Sequence, residues 1–340
     1  MSAASGLGSW PGQDGAAFRE AVRVVRDTMT DTDRTGRPGI PYLPEMPARG
    51  PGADMIGRTA GMLIEMPVDL QPSGWRLVDR PGRDVGRARS FLRSDLDELA
   101  EAYAGYEGDL KVQAAGPWTL AAAVRLPRGE RVLADAGAWR DLAGSLAEGL
   151  RAHLADLARV VPGARVIVQL DEPSLPAVLA GSLQTSSGLG WLRPVDDQEA
   201  RSTLREVADA ARSAGAAEVI VHCCAPEVPL VLLREAGFDG VSVDTALLGP
   251  RGWEAVAVAV EAGMRLWAGA LPTDDLQRPA GRVAEGLIRA WRELGLGRRM
   301  LDAVVITPAC GLAGASVAEA TRAHRTVAEV AAEATEWAAA

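Results

Sequence analysis

Short apolar segments with the composition of buried strands alternate along this chain with longer amphipathic segments of helical period. This alternation predicts a parallel sheet in which a helix follows each strand. Within 340 residues, eight such units predict an α/β fold, a (β/α)8 TIM barrel that spans residues 1–340 as a single domain. The predicted strands are Gly6–Trp10, Gly39–Met46, Leu110–Ala115, Arg165–Asp171, Glu218–Cys223, Gly240–Asp244, Arg265–Ala270 and Ala303–Thr307.

One segment interrupts the alternation. Residues 66–95 contain the run PSGWRLVDRPGRD, which predicts a hairpin inserted between the second and third units. The predicted helices lie between the strands, and several of them end at a glycine that can adopt a left-handed cap. These helices are Ala16–Met29, Leu96–Tyr103, Trp139–Arg159, Asp197–Gly215, Pro229–Ala236, Arg251–Ala262, Ala280–Gly295 and Ser316–Ala338.

The charge pattern and the cysteine content argue against several classes of protein. The net charge is -9, and the arginines are interspersed with acids, so we expect no nucleic-acid partner. Lys111 is the only lysine. No apolar run reaches the roughly 20 residues of a membrane span, and no secretory signal is evident, so we expect no membrane partner. Three cysteines, two of them adjacent, do not form a disulfide framework, and we expect a cytoplasmic protein.

All three cysteines and one of the three histidines fall in two short strand-like segments, VIVHCCAP and VVITPACGL. Thiolates and a neutral imidazole are the ligands that favour zinc. Because side chains alternate along a strand, His222 and Cys224 point to one face and Cys223 to the other. The pattern therefore predicts a zinc site formed by His222, Cys224 and Cys310, with Cys223 buried behind it.

Carboxylates follow several other predicted strands, at the end of a barrel where catalytic residues lie. They include Glu45, Asp171, Asp244 and Asp274. Each of these motifs has a structural interpretation when it stands alone, because an HxC pair can be structural, a buried cysteine can fill a core, and DEP can be a solvated strand exit. Their joint placement at successive strand ends is what predicts a metal-dependent catalytic site.

At these residues the chain resembles the C-terminal half of cobalamin-independent methionine synthase, a family grouped with the uroporphyrinogen-decarboxylase-like barrels. The matching motifs follow the family's order and cover most of the chain. They are GSWPG, PSGWRLVD, QAAGPWTLA, QLDEPSL, VHCCAP, GVSVDT and TPACGL. Full-length members carry a second, N-terminal barrel, so the resemblance implies a core-only form.

The resemblance implies a zinc ion that activates a thiol substrate. His222, Cys224 and Cys310 match the family's zinc ligands, and Asp244 stands where the family has a glutamate. A thiol bound to zinc is deprotonated at neutral pH, and the thiolate can then attack a methyl donor. The shorter side chain of Asp244 requires the metal or the strand to shift by roughly one carbon–carbon bond.

The resemblance also implies an amino-acid site and a methyl-donor site. Ser9 would bind the substrate carboxylate, and Glu45 and Asp171 would bind its ammonium group. The family's pterin-stacking tryptophan is replaced by Ala123, which leaves Trp118 as the nearby candidate. The family's proton-relay residues in the loop after strand seven are also replaced, which leaves Asp274 as the candidate acid.

Together these features predict a zinc-dependent methyltransferase that converts homocysteine to methionine. The methyl donor is open between methyltetrahydrofolate and a methylcorrinoid carried by a partner protein. One alternative is alkyl transfer to another thiol such as coenzyme M, whose sulfonate would require an arginine such as Arg49 or Arg125. A second alternative is a zinc-binding barrel without catalytic activity.

Overall fold

A computed structural model of the protein describes residues 2–32, 36 and 38–340. Over these residues the strands are β1 Ala3–Ala4, β2 Val68–Gln71, β3 Gly74–Leu77, β4 Gly108–Ala115, β5 Ala164–Asp171, β6 Glu218–Cys223, β7 Gly240–Asp244, β8 Arg265–Leu271 and β9 Val305–Pro308. Seven of them form a parallel sheet in the order β1-β9-β8-β7-β6-β5-β4. The predicted α/β barrel fold is confirmed.

The segment predicted as the second strand closes this sheet through isolated bridges, without forming a continuous strand. The amide of Ile40 donates to the carbonyl of Ala4 at 2.7 Å, and that of Leu43 donates to Lys111 at 2.9 Å, so the segment joins β1 to β4. Pro41 and Pro44 lie inside it and have no amide hydrogen. A regular ladder of hydrogen bonds cannot form there for that reason.

The first strand lies earlier in the chain than predicted. Regular pairing covers only Ala3 and Ala4, and the predicted segment 6–10 continues it irregularly, with isolated bridges at Ser5 and Ser9. Gly8 has a φ of +134°, a conformation that side-chain-bearing residues rarely adopt, and it interrupts the strand.

The helices follow the strands as expected, but three short ones were not predicted, namely α2, α4 and α6. The helices are α1 Gly15–Thr30, α2 Met55–Met62, α3 Arg83–Ala102, α4 Pro117–Ala123, α5 Ala136–Val160, α6 Leu175–Ala180, α7 Asp197–Ser213, α8 Leu230–Glu235, α9 Pro250–Glu261, α10 Ala280–Glu293 and α11 Val317–Ala339. Over the described residues, none of them combines the length and apolar character needed to cross a lipid bilayer.

The predicted insertion contains a hairpin, formed by β2 and β3 as an antiparallel pair. The amide of Leu77 donates to the carbonyl of Arg125 at 2.8 Å, so the hairpin packs against the segment that follows α4. The second half of the predicted insertion is not part of the hairpin. It forms the first turns of α3, which begins at Arg83 because its apolar residues already recur with helical spacing there.

The barrel interior changes from apolar to polar along its axis. A small buried cluster of Ile40, Ile167, Ile220, Trp267 and Val305 fills one level of it. Strand side chains alternate, so residues two positions further along point into the same interior. There the chain has polar side chains, all buried: Gln113, Gln169, Asp171, His222 and Thr307. This polar layer lies at the carboxyl ends of the strands, where a barrel places its active site.

Candidate active site

Two of the predicted metal ligands lie side by side at the carboxyl ends of the strands. The Sγ atoms of Cys224, which follows β6, and Cys310, which follows β9, are 3.9 Å apart. Two thiolates bound to one tetrahedral zinc ion, with Zn–S bonds of about 2.3 Å, lie roughly 3.8 Å apart. Residues 86 positions apart in sequence are therefore brought to the spacing that a shared metal requires.

The contact between the two thiols favours a thiolate at one of them. The hydrogen bond with Cys224 lowers the pKa of Cys310 to about 6, and the same hydrogen bond raises the pKa of Cys224. Cys223 differs from both, because it is buried and burial raises the pKa of its thiol to about 12. The alternation of side chains along β6 thus separates a buried thiol from one that faces the site.

His222 is buried on β6, two residues before Cys224, and one of its ring nitrogens makes a hydrogen bond. Its Nδ1 lies 3.0 Å from the hydroxyl of Ser242 on β7. Burial lowers the pKa of His222 to about 4, so the imidazole is neutral near pH 7, as a metal ligand must be. The contact with Ser242 orients the ring and leaves Nε2 as the nitrogen available to a metal.

The structure does not gather the complete set of predicted ligands. Within the described part of the chain, no group of three or more His, Cys, Asp or Glu side chains is arranged to hold a metal ion. Asp244 is directed locally, since its carboxylate accepts a hydrogen bond from the amide of Ala246 at 2.9 Å. Asp244 is near enough to the site to raise the pKa of Cys310 by charge repulsion. The thiol pair fits zinc, while His222 and Asp244 remain predicted ligands.

Ser9 lies against the loop that follows Cys310. Its hydroxyl accepts a hydrogen bond from the amide of Ala313 at 3.3 Å, and its carbonyl accepts one from Leu312 at 3.1 Å. A Cβ at Gly311 would lie 2.0 Å from the Ser9 hydroxyl oxygen. The predicted carboxylate-binding residue and the predicted metal ligand Cys310 are thereby parts of one surface.

Glu45 is buried and belongs to an ionic network that the sequence analysis missed. The guanidinium of Arg58 lies 3.4 Å from the Glu45 carboxylate and also bonds Asp95 on α3. Arg49 forms two hydrogen bonds to the same Asp95, at 2.7 and 2.9 Å. Burial raises the pKa of Glu45, and the charge of Arg58 opposes that rise. The charge of Arg58 therefore offsets part of the cost of burying this carboxylate at the barrel mouth.

These contacts also bear on the coenzyme M alternative. Arg49 is held by Asp95 and lies over the ring of Phe18 at 4.3 Å. Arg125 donates to the carbonyls of Ser73 and Gly129 at 2.8 and 3.0 Å. Both arginines proposed for a sulfonate are engaged in internal contacts, so neither supports that alternative.

Asp171 lies at the end of β5, with 6% of its surface exposed. Its Oδ1 accepts a hydrogen bond from Gln169 at 2.7 Å. Burial raises its pKa, the nearby charge of Glu45 raises it further, and the charge of Lys111 opposes both. The two predicted ammonium-binding carboxylates therefore lie close enough for their charges to interact. The positive charge of Lys111 partly offsets their repulsion.

Glu172, the next residue, is a second buried carboxylate of the DEP motif and has a structural role. It accepts hydrogen bonds from the amides of Trp118 and Thr119, at 2.9 and 2.8 Å, and from the Thr119 hydroxyl at 2.7 Å. It therefore caps the N-terminus of α4. Burial raises its pKa to about 7.

The two residues predicted for the methyl-donor half lie in different environments. Trp118 is completely buried, its indole NH donates to the carbonyl of Ala200 at 3.2 Å, and its ring packs on Trp139. No face of Trp118 is free for a ligand in this structure. Asp274 is exposed and lines a cavity of about 560 Å³ that reaches Gly311, the neighbour of Cys310.

Comparison with known proteins identifies the family of this chain. The family described as the catalytic domain of cobalamin-independent synthase matches residues 3–333. The chain belongs to the cobalamin-independent methionine synthase family. As a member of it, the protein is a methyltransferase. No functionally curated protein matches the chain.

One solved structure shares the fold of this cobalamin-independent methionine synthase family member. A B12-independent methionine synthase from Shewanella sp. W3-18-1, in complex with selenomethionine, is similar with a TM-score of 0.59 and 14% identity. That similarity covers 99% of this chain and 97% of the other. A morphinone reductase variant in complex with tetrahydroNAD is similar with a TM-score of 0.43 and 13% identity, over 90% and 81% of the two chains.

Proposed function

We propose that the protein transfers a methyl group to the thiol of homocysteine and uses zinc to activate that thiol. The observation that carries this proposal is the 3.9 Å separation of the Cys224 and Cys310 sulfur atoms at the carboxyl ends of the strands. Two sulfur ligands at this spacing can bind one tetrahedral metal ion and leave two positions for further ligands. His222, with a neutral ring, and Asp244 are the proposed remaining protein ligands.

Zinc, when bound, would lower the pKa of a coordinated substrate thiol so that it ionises at neutral pH. The chain itself binds and orients the substrate. Ser9 and neighbouring amides would bind the carboxylate, while Glu45 and Asp171 would bind the ammonium group. The thiolate sulfur would then attack the methyl carbon of the donor, and the electron pair of the broken bond would stay with the leaving group.

The methyl donor is proposed to bind in the cavity of about 560 Å³ that lies beside Cys310 and is lined by Asp274 and Gly311. Asp274 lies at this cavity and would supply a proton to the leaving group if the donor requires one. Because Trp118 is buried, pterin stacking on that residue has no support, and a methylcorrinoid from a partner protein stays beside methyltetrahydrofolate as a candidate. The three free thiols fit a reducing compartment such as the cytoplasm.

Zinc content tests the metal centre. We expect about one zinc per chain in the wild type, and loss of it in both Cys224→Ser and Cys310→Ser. Cys223→Ala is the matched control, because Cys223 is buried and faces away, and it should keep its zinc. A zinc content that does not change in Cys224→Ser and Cys310→Ser would refute the proposed centre.

Methyl transfer is then measured with homocysteine and three donors, namely methyltetrahydrofolate, methylcobalamin and a methylcorrinoid protein. Methionine formed with any one of them supports the reaction and identifies the donor class. X-ray absorption at the zinc edge separates the non-catalytic alternative. An added sulfur ligand on addition of homocysteine is expected for the enzyme, whereas an unchanged edge together with no turnover would show a barrel that only binds zinc.

A further inference from the structure

Lys111 is the only lysine of a chain with 36 lysine and arginine residues, and it is completely buried inside the barrel. Every other basic position carries arginine, whose planar guanidinium needs more room and a wider set of acceptors. A buried ammonium group is costly unless neighbouring charges and acceptors compensate for it. The position of Lys111 on β4 therefore requires an explanation that packing does not give.

The ammonium group of Lys111 joins two arms of polar side chains, one toward Glu45 and one toward Asp171. Its Nζ lies 3.2 Å from Oε1 of Gln113. The side chain of Gln113 in turn lies near enough to the carboxylate of Glu45 to lower the pKa of that group. This is the first arm. Gln113 is itself fixed, because its side-chain amide also donates to the carbonyl of Leu43 at 2.7 Å.

The second arm leads to the other predicted ammonium-binding carboxylate. Nζ of Lys111 lies 3.3 Å from the carbonyl of Leu7, and the side chain of Gln169 donates to the same carbonyl at 2.8 Å. Gln169 also donates to Oδ1 of Asp171 at 2.7 Å. Lys111 is thus hydrogen-bonded to the glutamine beside Glu45, and it is linked to Asp171 through a shared carbonyl and a second glutamine.

The same arms reach the segment that carries Ser9. Leu7 lies two residues before it, and the carbonyl of Gly8 accepts a hydrogen bond from the amide of Glu45 at 2.9 Å. A Cβ at Gly8 would lie 2.7 Å from Cδ of Gln113, so that glutamine fits only because residue 8 is glycine. All three predicted amino-acid-binding residues are therefore connected to one buried cation.

We propose that Lys111 is a positioning residue that holds the two ammonium-binding carboxylates, Glu45 and Asp171, in their places. This inference rests on the proposed function, because it assumes an amino-acid thiol as substrate. Two carboxylates with 6% exposure repel each other, and a fixed positive charge behind them offsets that repulsion. Burial lowers the pKa of Lys111 to about 8, and the charges of Asp171 and Glu45 oppose that decrease.

The test measures binding of methionine, the proposed product, because it needs neither zinc nor a methyl donor. Calorimetry compares methionine with 4-(methylthio)butyrate, which lacks the amino group, in the wild type and in Lys111→Met. We expect the wild type to prefer methionine. Lys111→Met should weaken methionine binding about tenfold or more, and should change binding of the des-amino compound by less than about threefold.

Two further variants separate positioning from folding. Gln169→Leu breaks the arm to Asp171 and leaves Lys111 in place, so it should weaken methionine selectively even if Lys111→Met does not fold. Tyr42→Phe is the control. The centroid of the Tyr42 ring lies 5.3 Å from Nζ of Lys111, but the Tyr42 hydroxyl hydrogen-bonds His324, outside the two arms. It should leave the preference for methionine unchanged.

The outcomes distinguish the role of Lys111 from the existence of the amino-acid site. Equal weakening of both compounds in Lys111→Met and Gln169→Leu, or no change in either variant, would refute the role of Lys111 while the wild-type preference for methionine still stood. A wild type without that preference would refute the amino-acid site of the proposed function, and the inference about Lys111 would fall with it.

Discussion

Gly311 allows Ser9 and the thiol pair to share one surface. A Cβ at this position would lie 2.0 Å from Oγ of Ser9, closer than any real contact of a Cβ atom, and 3.1 Å from Cβ of Ser9. The glycine of the motif PACGL therefore has a steric reason, which is the close approach of the first strand's loop to the last. The close contact with Ser9 explains the glycine at this position, and an unusual backbone conformation of Gly311 does not.

We predict that Gly311→Ala displaces Ser9 and weakens methionine binding about tenfold or more, because the hydroxyl that we propose to bind the carboxylate moves. Gly314→Ala is the matched control in the same loop, since a Cβ at Gly314 would meet nothing within 4 Å. Calorimetry on both variants checks this. Equal affinities in the two variants would show that Ser9 does not bind the carboxylate.

Among the elements, α4 illustrates how a motif residue can have a structural role. This helix has seven residues. The backbone amides of Trp118 and Thr119, in its first turn, donate hydrogen bonds to the carboxylate of Glu172. Isolated helices of this length are unstable in water, so the cap and the surrounding packing must supply the stability. The side chain of Glu172 is fully buried, and its loss would leave these donors without a partner.

We expect Glu172→Ala to lower the free energy of unfolding by about 2–4 kcal/mol, as several buried donors lose one acceptor. Asp141→Ala, an exposed carboxylate on α5, is the control and should change stability by less than about 0.5 kcal/mol. Urea unfolding of both variants measures the difference. A small effect for Glu172→Ala would mean that α4 is held by packing alone.

The elements also show which predictions depend on local sequence. Long helices such as α7 and α10 have strong apolar periodicity and were predicted to within a few residues. The short helices α2, α4 and α6 have six to eight residues, too few for a period to be recognised. They exist because of tertiary contacts, such as the cap from Glu172.

At the scale of the whole molecule, His324 links the two ends of the chain. It lies on α11 and is completely buried, with Nδ1 2.9 Å from the hydroxyl of Thr28 on α1 and Nε2 3.0 Å from that of Tyr42. Burial lowers its pKa to about 3. The neutral ring thus joins the first and last helices to the segment that closes the barrel.

This histidine predicts a specific dependence of stability on pH. Below its ordinary pKa of about 6.5 the unfolded chain binds a proton that the folded chain does not, so stability falls by about 1.4 kcal/mol per pH unit. His324→Gln loses the hydrogen bonds of the ring, but it also loses this destabilisation at low pH. Its deficit in unfolding free energy relative to the wild type should be about 2 kcal/mol smaller at pH 5 than at pH 7.5.

Tyr42→Phe is the control for that measurement, because it removes one hydrogen bond and keeps the titrating ring. Its deficit should stay nearly constant between pH 7.5 and pH 5. Urea unfolding at the two pH values gives both numbers. A constant deficit for His324→Gln would mean that this histidine takes up a proton in the folded protein as readily as in the unfolded chain.

By itself, the sequence determined the α/β barrel, because strand alternation and helical periodicity are local patterns. Its motifs determined the family and predicted the strand ends at which the site lies. The motifs HCC and PACG could be identified in the same way. The sequence did not determine the pairing of Arg58 with Glu45 or the position of Lys111. Polar residues inside apolar strands, such as Gln113 and Gln169, were the available signal.

Only the tertiary structure decided which of these residues meet. Cys224 and Cys310 are brought to 3.9 Å by closure of the barrel, and Trp118 is turned into the core, although both cysteines and the tryptophan follow strands in the sequence. The physical reason is that a contact between distant residues depends on strand order, stagger and helix packing throughout the barrel. Local patterns indicate which residues can be functional, and the closed barrel determines which of them come into contact.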